Sequence, residues 1–236
     1  MWNSAVTAPL ASMIPLRAYG LPALAQFLII LILALPAVQW LGSSQSLWAV
    51  PFDHLPRGQL AYLLSKLAAL YAIALFALQI AYGLAGARAR DLLGLERGLR
   101  FHRSLGLATL GLMLSHAALF ILGAMMRTGH FPVHFALPDI FADYYVSRIA
   151  LGWWAAVALL VAAACALFRA QLGRWWRAVH WLSIPAGVAA VLHSLSIGTE
   201  SRMPVMVAAY GCMAALLSLA IYLRLRTGKA AAAYSG

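Results

Sequence analysis

Four of the seven histidines lie inside long apolar stretches, where an imidazole has no solvent to serve. His102 and His116 fall in FHRSLGLATLGLMLSHAALFILGAMM (101–126), and His180 and His193 in the stretch 176–198, which includes WLSIPAGVAAVLHSLSIG. The spacings are 14 and 13 residues. At about 1.5 Å rise per residue they separate the imidazoles of each helix by roughly 21 and 20 Å. An ionisable side chain at membrane depth costs a few kcal/mol unless something there uses it, so it marks function by default. Haem iron in electron-transfer proteins takes axial ligands from facing helices of a bundle. Pairing His102 with His180, and His116 with His193, makes two bis-histidine sites stacked across a membrane. Metal–nitrogen bonds of about 2 Å exclude one metal ion from binding both histidines of a single helix.

The elements that must position these residues follow from hydropathy. Of the 236 residues 64% are hydrophobic and 10% charged, with a mean hydropathy of +0.85. That composition marks an integral membrane protein. Spans are expected near 21–41, 60–86, 102–126, 148–168, 176–198 and 204–223, each near the roughly 20 residues that cross a hydrocarbon core. The fold class expected is all-α, a single polytopic membrane domain over 1–236 with six helices in a bundle around two stacked haems. The N-terminal apolar run exceeds a signal-peptide core and shows no clear cleavage site, so it reads as the first span. Pro36 and Pro185 are tolerable at membrane depth.

The net charge of +11 arises from 17 Lys/Arg against 6 Asp/Glu. The basic residues cluster in short loops between apolar runs, which excludes a nucleic-acid partner and sets topology instead. Arg88, Arg90, Arg97, Arg100 and Arg103 precede the third span, and Arg169, Arg174 and Arg177 precede the fifth. Arg224, Arg226 and Lys229 follow the sixth. The opposite loops carry Arg57, Arg127, Arg148 and Arg202 with Asp53, Asp139, Asp143 and Glu200. The positive-inside rule then puts both termini in the cytoplasm, in a bacterial inner membrane. The third and fifth spans run parallel, with His102 and His180 at the cytoplasmic level and His116 and His193 nearer the outside.

One feature departs from an ideal helix. At about 100° per residue, 14 residues return a side chain to within some 40° of its start, whereas 13 leave it about 140° away. Pro185 lies between His180 and His193 and is expected to supply the kink that restores the direction. Small residues nearby (Gly106, Ala108, Gly111, Ala117, Ala186, Gly187) leave room for a porphyrin, though such residues also serve helix contact. Arg100, Arg103, Arg174 and Arg177 are candidates to bind the propionates of the inner haem, and topology-setting alone also explains them. Lys66 and Arg127 are the corresponding candidates on the outer side, with snorkelling the default for Lys66. His130 and His134 in GHFPVHF are four apart, but Pro132 argues against a helical metal site there. Trp153, Trp154, Trp175, Trp176 and Trp181 read mainly as interfacial anchors. Cys165 and Cys212 lie in apolar spans without a CxxC and read as small core residues.

The stretches FHRSLGLATLGLMLSH and GRWWRAVHWLSIPAGVAAVLH resemble the third- and fifth-helix patterns of the ferric reductase-like transmembrane family, which includes eukaryotic ferric reductases and NADPH oxidases. The 14-then-13 spacing is similar to that of the oxidases. The resemblance covers the six-span core and implies two haem b groups, one on His102 and His180 and one on His116 and His193. It also implies an oxidoreductase role, with iron carried in the haem. Relatives of that kind continue into a flavin- and NADPH-binding domain, whereas only Arg224 to Gly236 follow the sixth span here. Nothing in the chain reads as a Gly-rich dinucleotide turn. The implied donor is therefore a cytoplasmic flavoprotein reductase or reduced flavin supplied by a partner, unless the chain is an excised membrane domain. The small size is similar to the haem subunit of bacterial methionine sulfoxide reductase systems, which usually lacks a ligand at the His102 position.

The reading from sequence is transmembrane electron transfer to an acceptor on the outer face: oxygen, ferric iron, quinone or a partner protein. The competing reading is a haem-free transporter in which histidines bind a transition metal or relay protons. The paucity of membrane-embedded carboxylates counts against it.

Overall fold

A computed structural model describes residues 23–45, 50–51, 54–85, 95–137 and 139–233. Asp53, Arg88 and Arg90, used above for orientation, lie outside them. The described regular structure is helical throughout: α1 (Ala23–Ser43), α2 (Gln59–Ala85), α3 (Leu95–Thr128), α4 (Val133–Ala136), α5 (Tyr144–Leu167), α6 (Arg169–Leu172), α7 (Trp175–His180), α8 (Ser183–Ile197), a 3₁₀ turn (Glu200–Arg202) and α9 (Pro204–Ala233). With α7 and α8 taken as one stretch, the described residues contain six helices long and apolar enough to cross a membrane. The shortest has 21 residues, or about 31 Å of helix, enough for a hydrocarbon core of about 30 Å. The third span begins at Glu96, ahead of the expected 102, so Arg97, Arg100 and Arg103 sit on its first turns.

Three spans enclose a common buried core. α1, α2 and α9 share a core in which Ile32, Ala74, Met206 and Ala209 are wholly buried. Alanine supplies six of its twelve buried residues, because helices in lipid gain little from hiding apolar surface and associate through close packing. Pro36 stands inside α1 and is buried there. The Trp40 indole N–H donates to the Leu63 carbonyl at 2.7 Å, tying α1 to α2. At one end of α2 the chain passes Gly123 of α3 so closely that a Cβ on Gly58 would strike the Gly123 carbonyl oxygen. Gly58 also holds a φ of +75°, so glycine is required there twice over.

α5 packs along α8 and α7, and α3 packs along α2. Asp143 caps α5, its Oδ1 accepting from the backbone N–H groups of Tyr145 and Val146 at 2.9 and 3.0 Å. That cap satisfies donors otherwise free at a helix start. The two histidine-bearing spans are the least enclosed of the six: 6% and 11% of their apolar windows are buried, against 28–33% for the others. α3 touches α5 only lightly. Side chains of α3 and α7–α8 thus face one another across a slot.

Candidate functional site

The slot holds both imidazole pairs. The His102 and His180 ring centres are 6.3 Å apart with their planes at 69°. Those of His116 and His193 are 6.4 Å apart at 67°. Two imidazoles ligating one iron from opposite sides set their ring centres about 6.2 Å apart, from bonds of about 2.0 Å and about 1.1 Å from each nitrogen to its ring centre. Both pairs match that spacing, at two levels of the bundle. A slot between helices with imidazole ring centres at that separation fits an iron porphyrin by the chemistry of its donors.

The 13-residue spacing is accommodated by a break in the fifth span, immediately after His180. α7 ends at His180 and α8 begins at Ser183. Across the joint the hydrogen bonds tighten, with Leu182 N–H donating to the Val179 carbonyl and Ile184 N–H to the Trp181 carbonyl, each at 3.0–3.1 Å. Three-residue bonding winds about 120° per residue against about 100° in an α-helix, which rotates His193 in the direction that closes the gap. Pro185 has no N–H for the Trp181 carbonyl four residues back, and that carbonyl accepts from Ile184 instead, so the interruption lies in the turn before Pro185, where a proline places it.

A backbone carbonyl holds three of the four rings. His180 Nδ1 lies 3.0 Å from the Ala162 carbonyl oxygen, and His193 Nδ1 lies 2.7 Å from that of Arg148. His116 Nδ1 lies 3.0 Å from the Ser65 carbonyl oxygen and 2.9 Å from the Ser65 hydroxyl. That hydroxyl also donates to the His116 carbonyl at 3.0 Å. An Nδ1–H committed to a carbonyl leaves Nε2 as the free lone pair, which fixes both tautomer and direction for a metal. Among the described residues the buried His102 Nδ1 has no hydrogen-bond partner; its ring stacks on Tyr82 at 6.2 Å and 26°.

Sequence reading missed two residues that position the second pair. Ser65 is buried in α2 and holds His116. Gly152 of α5 faces His193, and a Cβ there would lie 2.8–3.1 Å from its Nδ1, Cε1 and Cγ atoms. A lone serine in an apolar span was a signal for Ser65; Gly152 had none, since its role depends on which helix packs opposite.

A cavity of about 200 Å³ surrounds the second pair, lined by Ser65, Phe76, Phe120 and Trp153 among others. Lys66 also lines it, its ammonium reaching the turn between the fifth and sixth spans. Its ammonium donates to Glu200 Oε1 at 2.7 Å and to Thr199 Oγ1 at 2.9 Å, with side chains only 19% and 8% exposed. The carboxylate of Glu200 holds the ammonium at that turn. Arg127 donates to the Gly123 carbonyl at 3.2 Å and lies over the Tyr62 ring. Trp153 donates to the Phe135 carbonyl at 2.9 Å, so it joins the cavity wall and is more than an anchor. At the other level Arg100 makes an exposed pair with Glu96, Arg177 lies over the Trp176 ring, and Arg103 is exposed. His130 and His134 do not share a helix, because α4 begins at Val133 after Pro132. Among the described residues no three His, Cys, Asp or Glu gather as a bare metal site.

The fold and slot define an all-helical, polytopic membrane protein with two imidazole pairs at two levels. The family model for the ferric reductase like transmembrane component matches residues 68–191, more than half of the chain, and the chain belongs to that family. The matched segment carries His102, His116 and His180 and ends two residues before His193. No curated protein and no solved structure matches the chain.

Proposed function

We propose that this chain is a transmembrane electron conduit carrying two b-type haems, one held by His102 and His180 and the other by His116 and His193. The single observation that carries the proposal is the pair of ring separations, 6.3 and 6.4 Å, each the span of one iron with two imidazoles. Family membership supports it. The loop charges favour cytoplasmic termini, so the first pair lies on the cytoplasmic side and the second on the outer side. The donor is a cytoplasmic flavoprotein or reduced flavin, and the acceptor reacts at the outer face. A haem supplies one-electron chemistry, and the chain supplies the rest. His116, His180 and His193 present oriented Nε2 lone pairs because carbonyls hold their Nδ1 atoms. The apolar wall around the second pair keeps water from its level. Lys66 lines the same cavity and is the cation placed to meet a propionate there, with Glu200 competing for it. At the first level Arg100, Arg103 and Arg177 stand ready for the same role. With two ligands on each iron, the acceptor meets the edge of the cofactor and not its metal.

A haem-free metal carrier would want three or more converging ligands, which the described residues lack. Reduced-minus-oxidised absorption of the purified chain, with haem counted per polypeptide, tests the proposal. Two haems per chain are expected, and a colourless, folded protein would refute it.

A further inference from the structure

The two imidazole pairs are not held alike. In the second pair both rings are locked. His116 Nδ1 has the carbonyl and the hydroxyl of Ser65, and His193 Nδ1 has the Arg148 carbonyl, with its ring pressed on the bare backbone of Gly152. In the first pair only His180 has a carbonyl. The Nδ1 of His102 is buried without a hydrogen-bond partner among the described residues. What holds its ring is a face contact with Tyr82, which is non-directional and resists tilting less than a hydrogen bond does. The nearby glycine gives slack: a Cβ on Gly83 would still be 3.9 Å from His102 Cε1. A ligating imidazole without an outer partner is less basic and less well oriented, a difference typically of 10–100-fold in metal affinity.

We infer that His102 is the exchangeable member of the four and that the cytoplasmic-side site admits a small neutral ligand, such as carbon monoxide or a free imidazole, in its place. The inference rests on the two-haem reading above. The exchange is a ligand swap without redox change: the bond from iron to the His102 nitrogen breaks, a bond from iron to the incoming carbon or nitrogen forms, and His102 leaves as a neutral imidazole. The outer-side site, with both rings locked, stays closed to the same ligand.

The test uses the full chain in detergent, reduced with dithionite and exposed to carbon monoxide, with haem counted per chain. One of the two haems is expected to form the carbon monoxide spectrum. His193→Ala, which keeps the cytoplasmic-side haem, is expected to retain all of that response. His102→Ala is expected to keep two haems per chain and to bind carbon monoxide more tightly than the unmodified chain, because no ring competes. His180→Ala is expected to lose one haem outright. Two haems with no carbon monoxide response overturn this inference and leave the two-haem reading standing. So does a response that disappears in His193→Ala. Absence of haem in the unmodified chain overturns both.

Discussion

Replacing Gly152 with alanine isolates the claim that His193 is a ligand. The added methyl would sit 2.8 Å from His193 Nδ1, 2.9 Å from Cε1 and 3.1 Å from Cγ. Ordinary carbon contacts lie near 3.5–4.0 Å, so the ring must retreat by several tenths of an ångström. Retreat stretches the 2.7 Å hydrogen bond to the Arg148 carbonyl, forfeiting about 0.5–1.5 kcal/mol. It also moves Nε2 away from the metal position, and loss of such an outer contact lowers metal affinity by about 10–100-fold. The helix itself gains, because alanine is better than glycine in a helix interior by about 1 kcal/mol. The variant should therefore fold with α5 intact and fail only at the second pair. Haem content and the reduced spectrum of Gly152→Ala should show the His102/His180 haem in full and the other depleted or high-spin. Gly211→Ala in α9 is the control, since nothing lies within 4 Å of a Cβ there, and it should change neither haem. Two unaltered haems in Gly152→Ala would refute the placement of His193.

Ser65→Ala removes the hydroxyl from His116 and leaves the carbonyl, so the outer-side haem should persist with binding weakened by about tenfold, read by titration of haem into the apoprotein. His193→Ala should abolish the outer-side haem and acceptor reduction while sparing the other; joint loss of both spectra would count against separate sites. Lys66→Met strands a carboxylate whose side chain is only 8% exposed and should destabilise the protein by about 3–5 kcal/mol, seen as a lower melting temperature. Adding Glu200→Gln to it should restore part of that loss.

Much of this was legible in the sequence for a physical reason. Lipid forces backbone hydrogen bonds to close within each helix, so spans appear as apolar runs and an imidazole in one stands out. The six spans and the four histidines of the slot were readable on that basis. The 140° discrepancy between His180 and His193 was a true signal that the helix is interrupted. The break lies at residues 181–182, in the turn before Pro185: with no N–H at 185, the Trp181 carbonyl accepts from Ile184 instead, which is where a proline disrupts a helix. The pairing of Lys66 was hidden for another reason. Its partner Glu200 is 134 residues on, in a loop whose packing against α2 no local pattern encodes. Gly152 and the carbonyls of Ala162 and Arg148 act through backbone and empty space, which one-letter sequence does not display.

The measurement that bears most directly on the account is the absorption spectrum of the purified chain, oxidised and dithionite-reduced, with haem counted per polypeptide. Two low-spin, six-coordinate b-type haems per chain are the expected result, falling to one in His193→Ala. A folded chain with no Soret band, or one whose haem survives replacement of all four histidines, would contradict it.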